Sequence, residues 1–415
     1  MTTNDKNGLK RNNGEATIKR GSAKPLFILL LIVAVILFTV FMLLKNNTGT
    51  VINLRDFAAG VADRRIGSST GEAGEGDSAL VAPVNTIFYD SGEETEFCLY
   101  RNYIVECSKD TFSMYGKNGE EVFRKNIEFQ KPLLKKSGNY LLAADAGGRT
   151  AFVMEDKNLR WEEHFNSNMT NISINVNGYI AVVLETVGYR STVRVMAPIG
   201  RKLFDWVVAD DYVISTEISP SNDSIVLNRI NTNGIGVRSV LEFLDIKSEP
   251  FAKIVSDEGD VFLKTLLLDD DTLATASEVE FVYYSEARKD PEEREVLVKK
   301  REVLAEESFD AILAMSEFPK RKITLAVERD GRSFLITYQR DGKSNILLES
   351  ELPIINMTAE NSLLIVNLGK RVLVMKENGK IALDLSFESE VLYGSVSGKS
   401  EILIVTKRSA DLFAI

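Results

Sequence analysis

The sequence predicts an all-β fold: a β-propeller of eight blades, with seven as the alternative count, closed by an N-terminal strand and preceded by one transmembrane helix. Three observations carry this. An uncharged apolar run starts at Pro25 and ends at Leu44. From about residue 84 onward the chain is a succession of short, β-branched and aromatic segments broken by Gly, Asn, Asp or Ser. Such residues suit pleated surfaces, and the breaks suit turns. Finally, hairpin-type turns recur at a near-constant interval, which is the mark of a repeat architecture.

Taken in chain order, residues 1–24 are polar and basic, with Lys6, Lys10, Arg11, Lys19, Arg20 and Lys24 against Asp5 and Glu15. They are too poor in apolar residues to pack, so a disordered tail is expected. The run PLFILLLIVAVILFTVFMLL follows. At ~1.5 Å per residue it spans roughly 30 Å, the hydrocarbon thickness of a bilayer. Basic flanks stay cytoplasmic, which puts the N-terminus inside and everything after Leu44 outside. A buried soluble helix would interrupt the run with polar positions. A cleavable signal peptide would have a shorter core and a small-x-small site, whereas Lys45-Asn46-Asn47-Thr48 follows here. The expectation is an uncleaved anchor in the cell membrane. Residues 45–83 read as a linker, with a short helix conceivable over 52–66 and a flexible Gly/Ser/Glu stretch over 67–77.

The first copy of the repeat is Phe112-Ser113-Met114-Tyr115, a turn, then Asn118-Gly119-Glu120-Glu121-Val122-Phe123. Further copies turn at Ile199-Gly200, Asp341-Gly342 and Asn378-Gly379. Asn-Gly and Asp-Gly favour tight hairpins because the central residues need positive φ. Degenerate copies fall at Lys157-Asn158, Lys247-Ser248 and Asp290-Pro291. The turns near 119, 158, 200, 248, 291, 342 and 379 are spaced by about 43 residues, the length of a four-stranded blade. Segment 290–305 is charge-dense and fits either a helix or a long hairpin. A further turn is due near 420, but an eighth unit ends at Ile415 after three strands (391–396, 402–406, 411–415). Segment 85–89 supplies the missing strand, which would close the ring and leave no open edge. Two packed sandwiches are the rival arrangement.

Val153-Met154-Glu155-Asp156-Lys157-Asn158-Leu159-Arg160-Trp161 and the stretch from Val195 to Trp206 have the strand, turn and Trp-bearing strand of a blade end. In this the chain resembles the quinoprotein/WD40-like propeller superfamily. Its overall layout also resembles an uncharacterised membrane-anchored domain family of Gram-positive, clostridial-type bacteria. These resemblances imply a shape and a place, and the superfamily hosts enzymes, scaffolds and sensors alike. Only two units carry the Trp; Lys125 and Leu385 stand at the equivalent position elsewhere.

The net charge of −10 includes +4 from the tail, leaving −14 for the rest. An acidic domain is a poor nucleic-acid binder, so no nucleic-acid partner is expected. The chain has one histidine, His164, in the strand-like Trp161-Glu162-Glu163-His164-Phe165. That argues against His-based zinc or triad chemistry and leaves His164 as a strand-surface residue. Quinoprotein dehydrogenases are expected to show adjacent cysteines, a cofactor-stacking Trp and a calcium site. Cys98 and Cys107 are not adjacent, and Trp161 and Trp206 sit where blades pack. No cofactor is therefore expected. Asp269, Asp270 and Asp271 are the densest carboxylates and the only metal candidates, although they lack the spaced pattern of a calcium loop and read as a solvated hairpin tip. Asp210-Asp211 reads the same way.

Cys98 and Cys107 flank a hairpin turn at Arg101-Asn102, which sets Cys98 opposite Val105 and Cys107 one diagonal step away. That diagonal is ~7–8 Å, long for a disulfide. A bridge and two buried thiols both stay open. The functional expectation is a membrane-tethered extracytoplasmic binding or scaffold module with an envelope protein or glycan as partner. The alternative is an enzyme in the central funnel, either cofactor-dependent or built on two carboxylates. A sensor is a third option, but a 24-residue tail would need a membrane partner to relay its signal.

Overall fold

The computed structural model describes residues 81–415 apart from 91–93, 271, 278–280, 286–298, 303–308, 361 and 399. Among the described residues no helix is long and apolar enough to cross a membrane, and the run from Pro25 to Leu44 lies outside them. The described strands form eight antiparallel four-stranded sheets. Seven are consecutive: blade 1 (96–126), blade 2 (132–164), blade 3 (169–208), blade 4 (212–255), blade 5 (264–302), blade 6 (311–350) and blade 7 (356–386). Blade 8 (391–414) has three strands of its own and takes its outer strand, Asn85–Phe88, from the other end of the chain.

The closing strand pairs Asn85 with Leu412 and Phe88 with Ser409. Thr86 Oγ1 donates to Asp411 at 2.7 Å, and Ser409 Oγ donates to the other oxygen of the same carboxylate at 2.8 Å. The strand ends one residue short of the expected 85–89. Tyr89 instead sends its N–H to Arg408 O and its hydroxyl to Thr406 O. Eight blades thus replace the seven-blade and two-sandwich alternatives.

Six of the seven expected turns fall between the third and fourth strands of blades, and the seventh, Asp290-Pro291, lies outside the described residues. Gly119, Gly200, Gly342 and Gly379 take positive φ, whereas the preceding Asn118, Asp341 and Asn378 do not, so only one central residue of each pair is left-handed. The charge-dense stretch supplies strand Lys299–Glu302, paired with Phe281–Ser285, so that part is strand and not helix. The segment 286–298 lies outside the described residues.

The two middle strands of each blade bury both faces. Ile180–Leu184 and Leu363–Asn367, for example, are buried throughout. This explains runs such as Ile-Ala-Val-Val-Leu that show no alternation. The core is divided into eight apolar wedges, one between each pair of neighbouring blades. Trp161 fills the wedge between blades 2 and 3, against the Gly200 turn, where a Cβ would come within 2.7 Å of the indole. Trp206 spans blades 3 and 4, with Nε1 donating to Glu242 at 3.2 Å. Both tryptophans pack blades.

Candidate functional site

The first strand of every blade lines the inner ring, and these strands touch in order until blade 8 meets blade 1. Blade 2's inner strand, Pro132–Ser137, carries adjacent lysines. Neighbours on a strand point to opposite faces, so the two reach opposite ways round the ring. Lys136 donates to Leu99 O on blade 1 (2.8 Å) and to Val396 O on blade 8, and it pairs with Glu360 on blade 7. All three of its protons are used. Lys135 donates to Ile172 O on blade 3 (2.6 Å) and faces Glu217 on blade 4. Burial pushes the Glu217 carboxyl up to about 7 against the pull of Lys135, and burial lowers Lys135 in turn. Two residues therefore tie six blades. The ring's carboxylates Glu217 and Glu360 each answer to a different lysine.

The seam between blades 8 and 1 has its own lock. Tyr393, Ser395 and Ser397 share one face of their strand. Tyr393 Oη accepts from Phe97 N at 2.7 Å, Ser395 Oγ accepts from Leu99 N at 3.0 Å, and Ser397 Oγ donates to Arg101 O.

The sequence candidates are dispersed. Asp269 pairs with Arg340, and Asp270 accepts from Ser221 N at 2.9 Å; Asp271 lies outside the described residues. No group of three or more potential metal ligands converges among the described residues. Asp211 is a correction. It is buried, not solvated, and with Glu242 it neutralises the buried Arg229 (3.3 and 3.0 Å) while accepting from Asn231 at 2.6 Å. A buried guanidinium requires such partners. Cys98 lies opposite Val105 in the expected register, and both thiols are free and buried. Burial raises Cys98 to about 12 and raises Cys107 as well, which keeps both protonated and unreactive. His164 is exposed at the end of its strand, with Nδ1 3.0 Å from Thr150 Oγ1.

A surface feature was not anticipated. Because the strands alternate direction, the loops between second and third strands share one face of the disc with the links from blade to blade. On this upper face, blades 3 and 4 carry longer loops, 185–190 and 232–237, than blade 2 (146–149) or blade 6 (330–331). Their sequences match: Val187-Gly188-Tyr189-Arg190-Ser191 and Ile235-Gly236-Val237-Arg238-Ser239. Blades 2 and 6 turn with Gly148-Arg149-Thr150 and Gly331-Arg332-Ser333. Val187 and Ile235 are fully exposed at 101 % and 105 %. Tyr189, Val237, Tyr212 and Leu263 are exposed around them. Arg190 stacks 4.8 Å from the Tyr212 ring and donates to its hydroxyl, and Asn233 Nδ2 donates to Asp210 O at 3.4 Å. These contacts tie both loops to the link between blades 3 and 4.

A model of a family of unknown function, DUF5711, matches residues 82–413, the whole ring. The chain belongs to that family. No curated protein matches it in sequence. Among solved structures, BamB from Moraxella catarrhalis aligns over 81 % of this chain and 100 % of its own, at 10 % identity and a TM-score of 0.53. The C-terminal WD40 domain of Sif2 covers 82 % of this chain and 99 % of its own, at 11 % identity and a TM-score of 0.57. The Dos1 propeller covers 80 % and 95 %, at 12 % identity and 0.53. At such identities the likeness is one of fold. This DUF5711 member shares the propeller shape with these proteins, and its own residues must speak for the site.

Proposed function

We propose that this DUF5711 member is a single-pass, membrane-anchored propeller held outside the cytoplasmic membrane, where it serves as a binding module for an envelope protein. The carrying observation is the exposed apolar cluster on the upper face of blades 3–5. Its fully solvated Val187 and Ile235 do nothing for the fold, and exposed apolar surface of this kind marks an interaction site. The apolar run from Pro25 to Leu44 and its basic flank support the anchor and its orientation. The described chain enters the ring through the outer strand of blade 8.

The two native thiols are buried, so an introduced cysteine can be labelled against a silent background. With Ile235→Cys, a membrane-impermeant maleimide should label intact cells, whereas Asn4→Cys should be labelled only after permeabilisation. Labelling of Ile235→Cys only after permeabilisation contradicts the orientation and with it the proposed role.

A further inference from the structure

We infer that the paired loops of blades 3 and 4 form a docking site for an apolar, basic protein segment; this deepens the binding-module reading and rests on it. The loops are two copies of one device. In blades 2, 3, 4, 6 and 8 an Arg precedes the Ser or Thr that opens, or nearly opens, the third strand. In blades 3, 4 and 6 that serine does the same work. Ser191 Oγ accepts from Val213 N (3.2 Å), Ser239 Oγ from Phe262 N (2.9 Å) and Ser333 Oγ from Ile354 N (3.2 Å). Each thereby fixes the link to the next blade. Blade 6 shows that Gly-Arg-Ser suffices for this corner. Blades 3 and 4 add an apolar residue on each side of the glycine: Val187 and Tyr189, then Ile235 and Val237. The additions stand in solvent, on adjacent blades, at the same position. Exposed β-branched tips repeated in this way have no role in packing.

Charge selects the occupant. Glu185, Asp210, Asp257 and Glu258 are exposed around the tips, and among the described residues none of the four is in an ion pair. Gly259 N donates to Val237 O at 2.8 Å, which fixes the Asp257–Glu258 turn beside the blade 4 loop. The cations nearby are Arg190, held on Tyr212, Arg238, folded back toward Gly234, and the exposed Lys264 beside Leu263, three against the four carboxylates. An acidic border round an apolar centre repels an anionic lipid surface. It also repels a second copy of itself, because like charges meet face to face. It attracts a segment whose apolar side chains are flanked by Lys or Arg.

The test uses the full chain in nanodiscs and three dye-labelled twelve-residue peptides: one alternating Leu and Lys, one alternating Leu and Glu, and one alternating Ser and Lys. Fluorescence anisotropy should show binding of the Leu/Lys peptide, weakened at least tenfold by Val187→Ser with Ile235→Ser. Asp257→Lys with Glu258→Lys should shift the preference to the Leu/Glu peptide. The inference is overturned if the Leu/Glu peptide binds the wild type as well as the Leu/Lys peptide does. It is equally overturned if the Leu/Lys peptide shows no binding up to about 1 mM, the weak limit of useful recognition. An environment-sensitive dye on Ile235→Cys that shifts to the blue in the nanodisc alone would assign the tips to lipid and also overturn it. The labelling of intact cells decides the broader reading separately.

Discussion

Blades 2 and 3 turn the same corner in two ways. Blade 2 passes from second to third strand through Gly147-Gly148-Arg149, and blade 3 through Val187-Gly188-Tyr189-Arg190. Both blades pack their middle strands into the same kind of wedge, and both put an Arg before a hydroxyl residue. What differs is a tip of exposed apolar side chains, repeated on blade 4 and missing from blades 2 and 6. The shared part is what a blade needs. The added part is free of that duty, so its surface chemistry reports on something outside the ring.

That separation can be broken at either half. The largest effect is expected from deleting 82–89, which removes the closing strand from blade 8. The exposed edge and the unsupported Leu412 and Phe413 should abolish the cooperative transition or split it in two, as read by thermal unfolding. Next comes Lys136→Ala. It leaves Glu360 unpaired and two carbonyls without a donor, at a cost of about 2–3 kcal/mol in denaturant unfolding, discounted for the partial exposure of the pair. Ser239→Ala strands the buried Phe262 N–H and should cost about 1–2 kcal/mol, with Ser191→Ala similar, because the two serines do one job.

A pH series sharpens the contrast within the ring. Glu217 titrates near 7 in the folded chain and lower when unfolded, so the native state holds the extra proton between those values. Stability should therefore fall as pH rises from about 4.5 through 7. Glu217→Gln removes that slope, and its stability relative to wild type should increase from pH 5 to pH 8. An unchanged difference would show that Glu217 is solvated. The smallest effect belongs to the tips: Val187→Ser and Ile235→Ser should change stability by no more than about 0.5 kcal/mol. A larger loss would mean that the tips serve the fold after all.

Most of the ring was legible from the spacing of the third-to-fourth-strand turns, because the glycine that follows Asn or Asp, held at positive φ, leaves a local signature. The closing strand was legible from a count that ran out at Ile415. The upper face was not. Val187, Tyr189, Ile235 and Val237 are residues of strand type, and only the observed pairing of Ile180–Leu184 with Ser191–Met196 shows that the first two lie outside a strand. The same limit hid Asp211, whose burial depends on Arg229 arriving from another strand. The lysine pair at 135–136 drew no expectation from the sequence. Its partners come from blades far away in sequence, and no local pattern announces them.

The central claim is that blades 3 and 4 carry a docking tip that the other described corners lack. Photo-crosslinkable residues placed at Ile235 and, as the matched corner without a tip, at Arg332 test it most directly in intact cells. The account predicts a discrete protein adduct from position 235 that is lost with Val187→Ser, and none from position 332. Adducts of equal yield from both corners, or a 235 adduct indifferent to Val187, would contradict it.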